Sequence, residues 1–288
     1  MSKKLLPFIL LVLPLLPIHA QTSSFNFQLF DVPNSASTEA DNINARGNIA
    51  GFFFDHAGHQ HGFFFNALSG TFTQLDFPGS TATKTVGLNN REDIVGAFND
   101  ASGNQHGLLR DGLTSAFSQI DFPGAVSTQA LSINDARDIA GSFNDTAGRT
   151  HGFLLSGGVF TQIDFSGATG TFVFGINDRG DMVGAFTDAS GNFHAFTRQG
   201  GVFAPVNFPG TTTFSFAFGL NARTNIVGSF GDASGNGHGF LEQNGVFIQL
   251  DFPGAASTDG DGLNAAGIIV GDFFDNAGVE HGYIATPK

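Results

Sequence analysis

An aspartate followed six residues later by a histidine occurs six times along the chain. The pairs are Asp55–His61, Asp100–His106, Asp145–His151, Asp188–His194, Asp232–His238 and Asp275–His281. A carboxylate that orients an imidazole is a common general-base arrangement. A reaction needs such a pair only once, however, and identical spacing in six copies favours a structural role. We therefore expect each pair to brace a hairpin and to satisfy backbone donors.

Metal binding is the second chemistry that these residue types suggest. In the first copy His56, His59 and His61 lie within six residues. Imidazoles at this spacing can bind Zn²⁺, Ni²⁺ or Cu²⁺, although on an exposed hairpin they are more often solvated. The Asp-x-x-Gly loops suggest calcium, but each offers one carboxylate whereas Ca²⁺ takes six to eight oxygens. The prediction is therefore no cofactor, with calcium or a transition metal as the alternative.

The Asp–His pair is part of a longer repeat that organises the chain. Each copy has an Asn, a Gly seven residues later and a Phe two residues after that Gly, without insertions. The recurrent asparagines are Asn44, Asn89, Asn134, Asn177, Asn221 and Asn264. Asn at such a position favours an Asx-type turn. Spacings of 43 to 45 residues between copies suit one four-stranded propeller blade.

The strands can be read within one copy. In the second copy the first strand ends at Asn89, and Asp93–Asn99, Gln105–Arg110 and Phe117–Phe122 are predicted as the next three. Gly103 suits the positive φ of the hairpin loop that joins the second and third strands. Asp-Phe-Pro-Gly then ends the copy, because Pro cannot continue a central strand.

The two ends of the chain indicate a closed ring. The sixth copy stops after its third strand, and Phe25–Phe30 supplies a matching fourth strand at the other end. Such a permutation closes a circle and removes exposed sheet edges. The predicted fold is an all-β, six-bladed β-propeller whose N-terminal strand completes the last blade, with another stacked-hairpin architecture as the alternative. The predicted blades span about 38–76, 83–121, 128–164, 171–207, 215–251, and 258–285 together with 25–30.

The repeat resembles the bacterial extracellular repeat known as the HAF family. The pattern Gly-(Ile/Leu)-Asn-x-x-Gly-Asp-(Ile/Met)-Val-Gly-x-Phe-x-Asp-x-x-Gly-x-x-His-(Ala/Gly)-Phe carries the resemblance, with the literal triplet at His194-Ala195-Phe196. The likeness covers nearly the whole chain after the first twenty residues. It implies an exported, extracellular or cell-surface bacterial protein. It implies little about activity, because the family is named for its repeat and not for a reaction.

Positions where the copies disagree are the best candidates for a ligand site. Five residues before the recurrent Asn lie Glu39, Lys84, Gln129, Phe172, Phe216 and Asp259; three before it lie Asp41, Val86, Leu131, Phe174, Phe218 and Asp261. The first strand of a propeller blade lines the central channel, so these residues should meet at one mouth of that channel. Ring closure then places acids opposite an aromatic wall, which is a plausible ligand site.

Several interpretations of that mouth stay open. The candidate binding residues are Glu39, Asp41, Lys84, Phe172, Phe174, Phe216, Phe218, Asp259 and Asp261. Their acids can hold a cation or hydrogen-bond sugar hydroxyls while a sugar ring stacks on Phe. Paired carboxylates can also act as acid and base on a glycosidic bond. The alternative without function is a solvated acidic rim beside additional inter-blade core.

The chain start and the composition indicate export and exclude some partners. Two lysines, an apolar run and a small residue at Ala20 form a secretory signal over residues 1–20, followed by one domain over 21–288. The net charge of −13 opposes binding to nucleic acid or anionic lipid. The chain contains no cysteine, which excludes disulfides and thiolate chemistry.

These observations predict a secreted propeller, extracellular or periplasmic, that binds or presents an extracellular ligand. The ligand classes left open are a glycan, a protein and an ion. We expect a monomer without a membrane span after signal removal. One alternative is a secreted carbohydrate-active enzyme, a glycoside hydrolase or lyase using the channel carboxylates, and another is a purely structural component of the cell envelope. No nucleophile elbow, phosphate loop or zinc helix stands out from the repeats, which favours binding over catalysis.

Overall fold

The computed structural model describes residues 24–210 and 213–288, so the predicted signal peptide lies outside the described residues. Six antiparallel sheets follow one another around a ring. In five blades the strands are hydrogen-bonded in chain order from the channel outwards, and in the sixth the N-terminal strand takes the outermost place. The predicted six-bladed β-propeller is therefore confirmed. No helix in the described ranges is long and apolar enough to cross a membrane.

The strands are named in chain order, and strands A to D denote the four strands of a blade from the channel outwards. Blades 1 to 3 contain β2 Ser37–Ile43, β3 Ile49–Phe54, β4 Gln60–Asn66 and β5 Thr71–Leu75; β6 Ala82–Leu88, β7 Ile94–Asn99, β8 Gln105–Arg110 and β9 Phe117–Ile120; β10 Ser127–Ile133, β11 Ile139–Asn144, β12 Thr150–Ser156 and β13 Val159–Ile163. Blades 4 and 5 contain β14 Gly170–Ile176, β15 Met182–Thr187, β16 Phe193–Gln199 and β17 Val202–Val206; β18 Ser215–Leu220, β19 Ile226–Gly231, β20 Gly237–Gln243 and β21 Val246–Leu250. In blade 6, strand A consists of two short pieces that both pair with strand B, β22 Ser257–Thr258 and β23 Gly262–Leu263. Strands B and C are β24 Ile269–Phe274 and β25 Glu280–Pro287, and strand D is the N-terminal β1 Phe25–Leu29.

The N-terminal strand closes the ring as predicted. β1 pairs antiparallel with β25, with Phe25 opposite Pro287 and Leu29 opposite Tyr283. The backbone N–H of Lys288 also donates to the carbonyl of Ser24 at 2.9 Å. The outer strand of blade 6 thus comes from the opposite end of the chain, so the ring cannot open without breaking a ladder.

Stacked phenylalanines join neighbouring blades. Phe77 follows the last strand of blade 1 and stacks on Phe98 of blade 2, with ring centroids 3.7 Å apart and planes 5° apart. Four further blade junctions repeat this stack at 3.6 to 3.8 Å: Phe122–Phe143, Phe165–Phe186, Phe208–Phe230 and Phe252–Phe273. At the sixth junction Val32 takes the first position beside Phe53. These phenylalanines therefore form the core between blades, and their burial drives closure of the ring.

A belt of asparagine side chains surrounds the channel at the A–B turns. The Oδ1 of Asn44 accepts from the backbone N–H groups of Arg46 and Asn48, which is the turn predicted for it. Its Nδ2 donates to the carbonyl of Asn89 in the next blade. The same inter-blade bond continues through Asn134, Asn177, Asn221 and Asn264 and returns to Asn44. The belt fixes this end of the channel by repetition, and the opposite mouth is where the blades differ.

Candidate functional site

Four positions of each blade face the mouth at the far end from the asparagine belt. Two are the strand A positions predicted from sequence, five and three residues before the recurrent Asn. The third lies on strand B directly opposite the first, as Phe52 lies opposite Glu39. The fourth precedes the recurrent His on strand C, as Glu280 does. We call these the mouth positions, and in blade 6 all four are acidic: Asp259, Asp261, Asp272 and Glu280.

A β-bulge turns the second mouth position out of the regular ladder. In blade 2, Thr85 lies opposite Gly96 and Gly87 lies opposite Val95, which leaves Val86 as the extra residue. Strand A of blades 1 and 3 to 5 has a register shift at the same place. Bulges redirect side chains and are frequent beside functional sites. In blade 2 the second mouth position is therefore the bulged residue itself.

Blades 6 and 1 bring six carboxyl groups together, which we call the acidic cluster. Its members are Glu39, Asp41, Asp259, Asp261, Asp272 and Glu280. Lys84 of blade 2 lies beside one end of the cluster, with Nζ 3.8 Å from Glu39 Oε2 and 4.0 Å from Asp41 Oδ1. Its ammonium also sits 4.1 Å from the centre of the Phe52 ring. One cation therefore faces six acids.

Burial dominates the electrostatics of this cluster. It raises the pKa of Asp259 to about 6 and that of Glu280 to about 7, because desolvation disfavours the charged form. Burial and neighbouring carboxylates raise the pKa of Asp261 and Asp272 well above the usual value. Burial alone would lower the pKa of Lys84, but the nearby acids raise it. The charged form of these acids is thus disfavoured by burial, and Lys84 compensates it only in part.

Two carboxylate oxygens of the cluster have no hydrogen-bond partner among the described residues. They are Asp41 Oδ2 and Asp261 Oδ2, both shielded from solvent. The whole Asp41 residue is only 8% exposed. Buried polar atoms are usually satisfied, so orphaned acceptors at a cavity indicate a missing donor or cation. Both residues line a cavity of about 170 Å³ whose opposite wall includes Phe174 and Phe218.

An aromatic pocket adjoins this cavity between blades 3, 4 and 5. Its volume is about 340 Å³, and its aromatic wall contains Phe172, Phe174, Phe193 and Phe216. Phe193 lies between two of the predicted residues, with ring centroids 5.8 Å from Phe172 and 5.0 Å from Phe216. The predicted Phe218 packs on Phe174 at 5.3 Å and lines the central cavity. All four predicted phenylalanines therefore face the mouth.

The wall opposite the phenylalanines is polar. It carries the side chains of Ser127, Gln129, Ser142, Asn144 and Thr150. Thr150 Oγ1 donates to Asn144 Oδ1 at 2.7 Å, and Asn144 Nδ2 donates to Ser127 Oγ at 2.9 Å. The hydroxyl of Ser142 is buried without a hydrogen-bond partner in the described structure. The pocket thus presents ring faces on one side and hydroxyl and amide groups on the other.

The recurrent Asp–His pairs lie in the hairpins and take part in a larger brace than predicted. His61 Nδ1 lies 3.0 Å from Asp76 at the end of strand D, while its Nε2 lies 3.7 Å from Asp55. The equivalent His Nδ1 of blades 2, 3, 5 and 6 lies 2.8 to 3.0 Å from an Asp that follows strand D: Asp121, Asp164, Asp251 and Asp31. In blade 4 that Asp is replaced by Asn207, and His194 Nε2 instead lies 3.0 Å from Asp188.

The histidine-rich hairpin of blade 1 gathers two of its three predicted metal ligands. The ligand atoms of Asp55, His59 and His61 lie within 4.8 Å of one another. His56 is exposed and lies outside that group. One Asp55 oxygen already accepts from the backbone N–H groups of Ala57 and His59. Similar Asx turns engage the other hairpin aspartates, which leaves them little capacity for calcium.

Sequence reasoning missed four residues of the site: Asp272, Glu280, Phe193 and Ser142. They occupy the strand B and strand C mouth positions. An alignment of the six copies shows that the residues at these two positions differ from blade to blade. Opposite the first mouth position stand Phe52, Ala97, Ser142, Ala185, Ser229 and Asp272; before the recurrent His stand Gln60, Gln105, Thr150, Phe193, Gly237 and Glu280. These positions vary as strongly as the strand A positions, although their common face requires the strand register.

Several solved β-propellers are similar to this chain in fold. AofleA from Arthrobotrys oligospora matches at a TM-score of 0.57 and 12% identity, over 90% of this chain and 85% of that chain. The fucose-recognising, six-bladed lectin of Aleuria aurantia matches at 0.53 and 12%, over 89% and 93%. The propeller domain of the Trilobed protease from Pyrococcus furiosus matches at 0.56 and 8%, over 88% and 95%. Such identities show the fold alone. No family model and no curated protein matches the chain.

Proposed function

We propose that the protein is a secreted binding module that holds a glycan at the mouth of its channel. The observation that carries the proposal is the aromatic pocket, with phenylalanine rings facing a wall of hydroxyl and amide groups. A sugar has the same two-sided character, because its C–H face packs on aromatic rings and its hydroxyls need hydrogen-bond partners. The volume of about 340 Å³ is at the small end of ligand pockets, which suits one or two sugar rings.

The unsatisfied Ser142 hydroxyl supports a polar ligand in this pocket. A buried hydroxyl without a partner costs about 1 to 3 kcal/mol, and a sugar hydroxyl would remove that cost. Gln129 and Phe174 line both this pocket and the central cavity. A longer glycan can therefore extend from the aromatic pocket towards the acids.

The similar structures add weight to a glycan as the ligand. One solved form of the Aleuria aurantia lectin is described in complex with Fucα1-6GlcNAc. A six-bladed ring of this size can thus present a sugar site. The site proposed here depends on residues that differ between blades, so we expect one glycan per chain.

Export is the other half of the proposal. It rests on the signal-like residues 1–20 and on the resemblance to the HAF-type extracellular repeat. Expression of the whole chain in a bacterial host with periplasmic fractionation tests it. We expect protein whose N-terminus, measured by mass spectrometry, begins at Gln21. Full-length protein confined to the cytosol would contradict export.

Glycan binding is tested by screening purified protein on an oligosaccharide array and measuring the best ligand by calorimetry. Phe193→Ala and Phe172→Ala should each weaken binding at least tenfold, and Ser142→Ala should weaken it less. Leu113→Ala is the control, because Leu113 is a large apolar side chain 93% exposed in a turn of blade 2. Unchanged affinity in Phe193→Ala, or an array without binders, would refute the aromatic pocket as the site.

Catalysis is a second candidate because burial raises the pKa of Glu280 to about 7, and a carboxyl group with a raised pKa is suited to donate a proton at neutral pH. The array ligands should therefore be incubated with the protein and analysed for cleavage products. Turnover that disappears in Glu280→Gln while binding persists would assign hydrolysis. Intact ligand after long incubation would leave the binding module as the function.

A further inference from the structure

Three carboxylates of the acidic cluster converge from three different strands. Glu39 on β2, Asp272 on β24 and Glu280 on β25 have carboxylate oxygens within 4.8 Å of one another. Oxygens that share a calcium ion at 2.3 to 2.6 Å lie at most about 5 Å apart. Carboxyl groups that flank a glycosidic bond are about 5 to 9.5 Å apart. The spacing of these three residues therefore suits a shared cation better than a catalytic pair.

The cluster lacks the basic side chains that would neutralise it from within. Lys84 lies within 4 Å of Glu39 and Asp41, at the blade 1 side. In the described structure no lysine or arginine forms an ion pair with the four blade 6 acids. Carboxylates held this close repel one another unless a proton or a cation lies between them.

The orphaned oxygens provide independent support for a cation. Asp41 is a buried residue. The Oδ2 atoms of Asp41 and Asp261 are both shielded from solvent and have no hydrogen-bond partner among the described residues. Both residues line the cavity that also contains Glu39 and Asp259. Buried acceptors that line a cavity and receive no hydrogen bond are the arrangement that a cation satisfies directly or through its bound water.

We propose that the acidic cluster is a calcium site at the junction of blades 6 and 1. All its ligand groups are carboxylates, which are the ligands that hard cations prefer, whereas Zn²⁺ and Cu²⁺ favour nitrogen or sulfur. Three carboxylates can supply up to six oxygens, and the neighbouring acids or water complete the shell of six to eight. Mg²⁺ requires a tighter octahedron, so it should bind more weakly. The site stands whether or not a sugar binds in the aromatic pocket.

The test is calcium titration of chelator-stripped protein by calorimetry at pH 7.5. We expect one Ca²⁺ per chain, weaker binding of Mg²⁺, and a higher melting temperature in calcium because the ion binds only the folded state. The double variant Asp272→Asn/Glu280→Gln should raise the Kd for calcium at least tenfold and abolish the calcium-dependent melting shift. Its melting curve without metal shows that it folds.

The control variant is Asp100→Asn/Asp232→Asn, which makes the same charge change in the hairpins while Asn keeps the Oδ1 that accepts the turn bonds. It should bind calcium like the unmodified protein. Phe193→Ala should also bind calcium normally, which separates this site from glycan binding. Absence of calcium binding, or unchanged affinity in Asp272→Asn/Glu280→Gln, would overturn the proposal. Zn²⁺ binding that disappears in His59→Ala, with no response to calcium, would overturn it in favour of the blade 1 hairpin.

Discussion

The hairpin aspartates and the acidic cluster are the same kind of residue in opposite situations. Hydrogen bonds from within each hairpin hold the pKa of Asp55, Asp100, Asp145, Asp188, Asp232 and Asp275 below its usual value. Burial does the reverse in the acidic cluster, where the pKa of every member is raised. The first set recurs in every blade, and the second occurs in two.

This contrast separates scaffold from site. Every blade needs the same hairpin, so the same aspartate recurs with donors arranged around it. Nothing in the fold requires acids at the mouth, since the equivalent positions of blade 4 are Phe172, Phe174, Ala185 and Phe193 and that blade folds alike. A group of buried acids that lowers stability, and that a blade does not need in order to fold, is the feature to test for function.

The largest effect is expected in the shared scaffold. A Cβ added to Gly96 would lie 1.9 Å from the Lys84 carbonyl oxygen of the neighbouring strand. The Cβ is fixed to one strand and the carbonyl oxygen belongs to the strand paired with it, so neither atom can move away. Gly96→Ala should therefore lower the free energy of unfolding by more than about 4 kcal/mol or prevent folding. Urea unfolding or the soluble yield measures this. Gly103→Asn is the control, because Gly103 has open space and a φ of 85° that Asn tolerates. Equal stability of the two variants would contradict the close approach.

The asparagine belt should give the next largest loss. Asn221→Asp keeps the oxygen that accepts from Arg223 and Asn225 but removes the amide that donates to the Asn264 carbonyl. A buried carboxylate facing that carbonyl should lower the free energy of unfolding by about 2 to 3 kcal/mol. Denaturant unfolding checks this against Asn276→Asp, an exposed amide that also donates to a carbonyl. A belt that matters only for its turns would leave both variants equal.

Neutralising an acid at the channel mouth should raise the free energy of unfolding, whereas the two preceding substitutions lower it. Asp272→Asn removes a buried carboxyl whose charged form is disfavoured by burial and by its acidic neighbours, so the metal-free protein should gain about 1 to 3 kcal/mol at pH 7.5. Asp188→Asn in a hairpin should instead lose stability, because its carboxylate accepts from His194, Asn192 and Ser190. Thermal unfolding after chelation compares the two variants. Destabilisation by Asp272→Asn would show that the acid is structural.

The pH dependence should show both regions in one curve. Asp259 and Glu280 have folded-state pKa values of about 6 and 7, above those of the unfolded chain, so folding takes up protons between pH 4 and 7. Stability without metal should therefore fall as pH rises through 6 and 7, by a few degrees of melting temperature. The acids Glu39, Asp41, Asp261 and Asp272, with Lys84, titrate in the same cluster.

The hairpin aspartates give the acid limb of that curve. Their folded-state pKa lies below the unfolded value, so their stabilisation is present above pH 4 and is lost as pH falls further. The maximum should therefore lie near pH 4, where the two limbs meet. Asp272→Asn/Glu280→Gln should flatten the neutral limb and leave the acid limb in place. A neutral limb unchanged in that variant would assign it to groups other than Asp272 and Glu280.

The fold could be predicted from the sequence because each of the six copies independently indicates the same four-stranded unit. Six identical spacings, and the Phe25–Phe30 strand that the last copy lacks, leave few alternatives to a closed ring. Strand Gln105–Arg110 was predicted at its observed bounds. The strand A half of the mouth followed from a period of two along one strand. Asp272 and Glu280 did not follow, because their face depends on cross-strand register and on the bulge, which spacing alone does not give.

Breaking the contact between the recurrent His and the Asp after strand D should give the smallest effect of all. In blade 2 this contact joins His106 Nδ1 to Asp121 at 3.0 Å, and the Asp121 side chain is 42% exposed. Exposed pairs contribute little to stability. Blade 4 already folds with Asn207 at this position. Asp121→Asn should therefore lower the free energy of unfolding by less than about 1 kcal/mol, measured by urea unfolding against His106→Gln. A loss above about 2 kcal/mol would mean that the brace between strands C and D holds the blade together, and that blade 4 must replace it through the shorter His194–Asp188 contact.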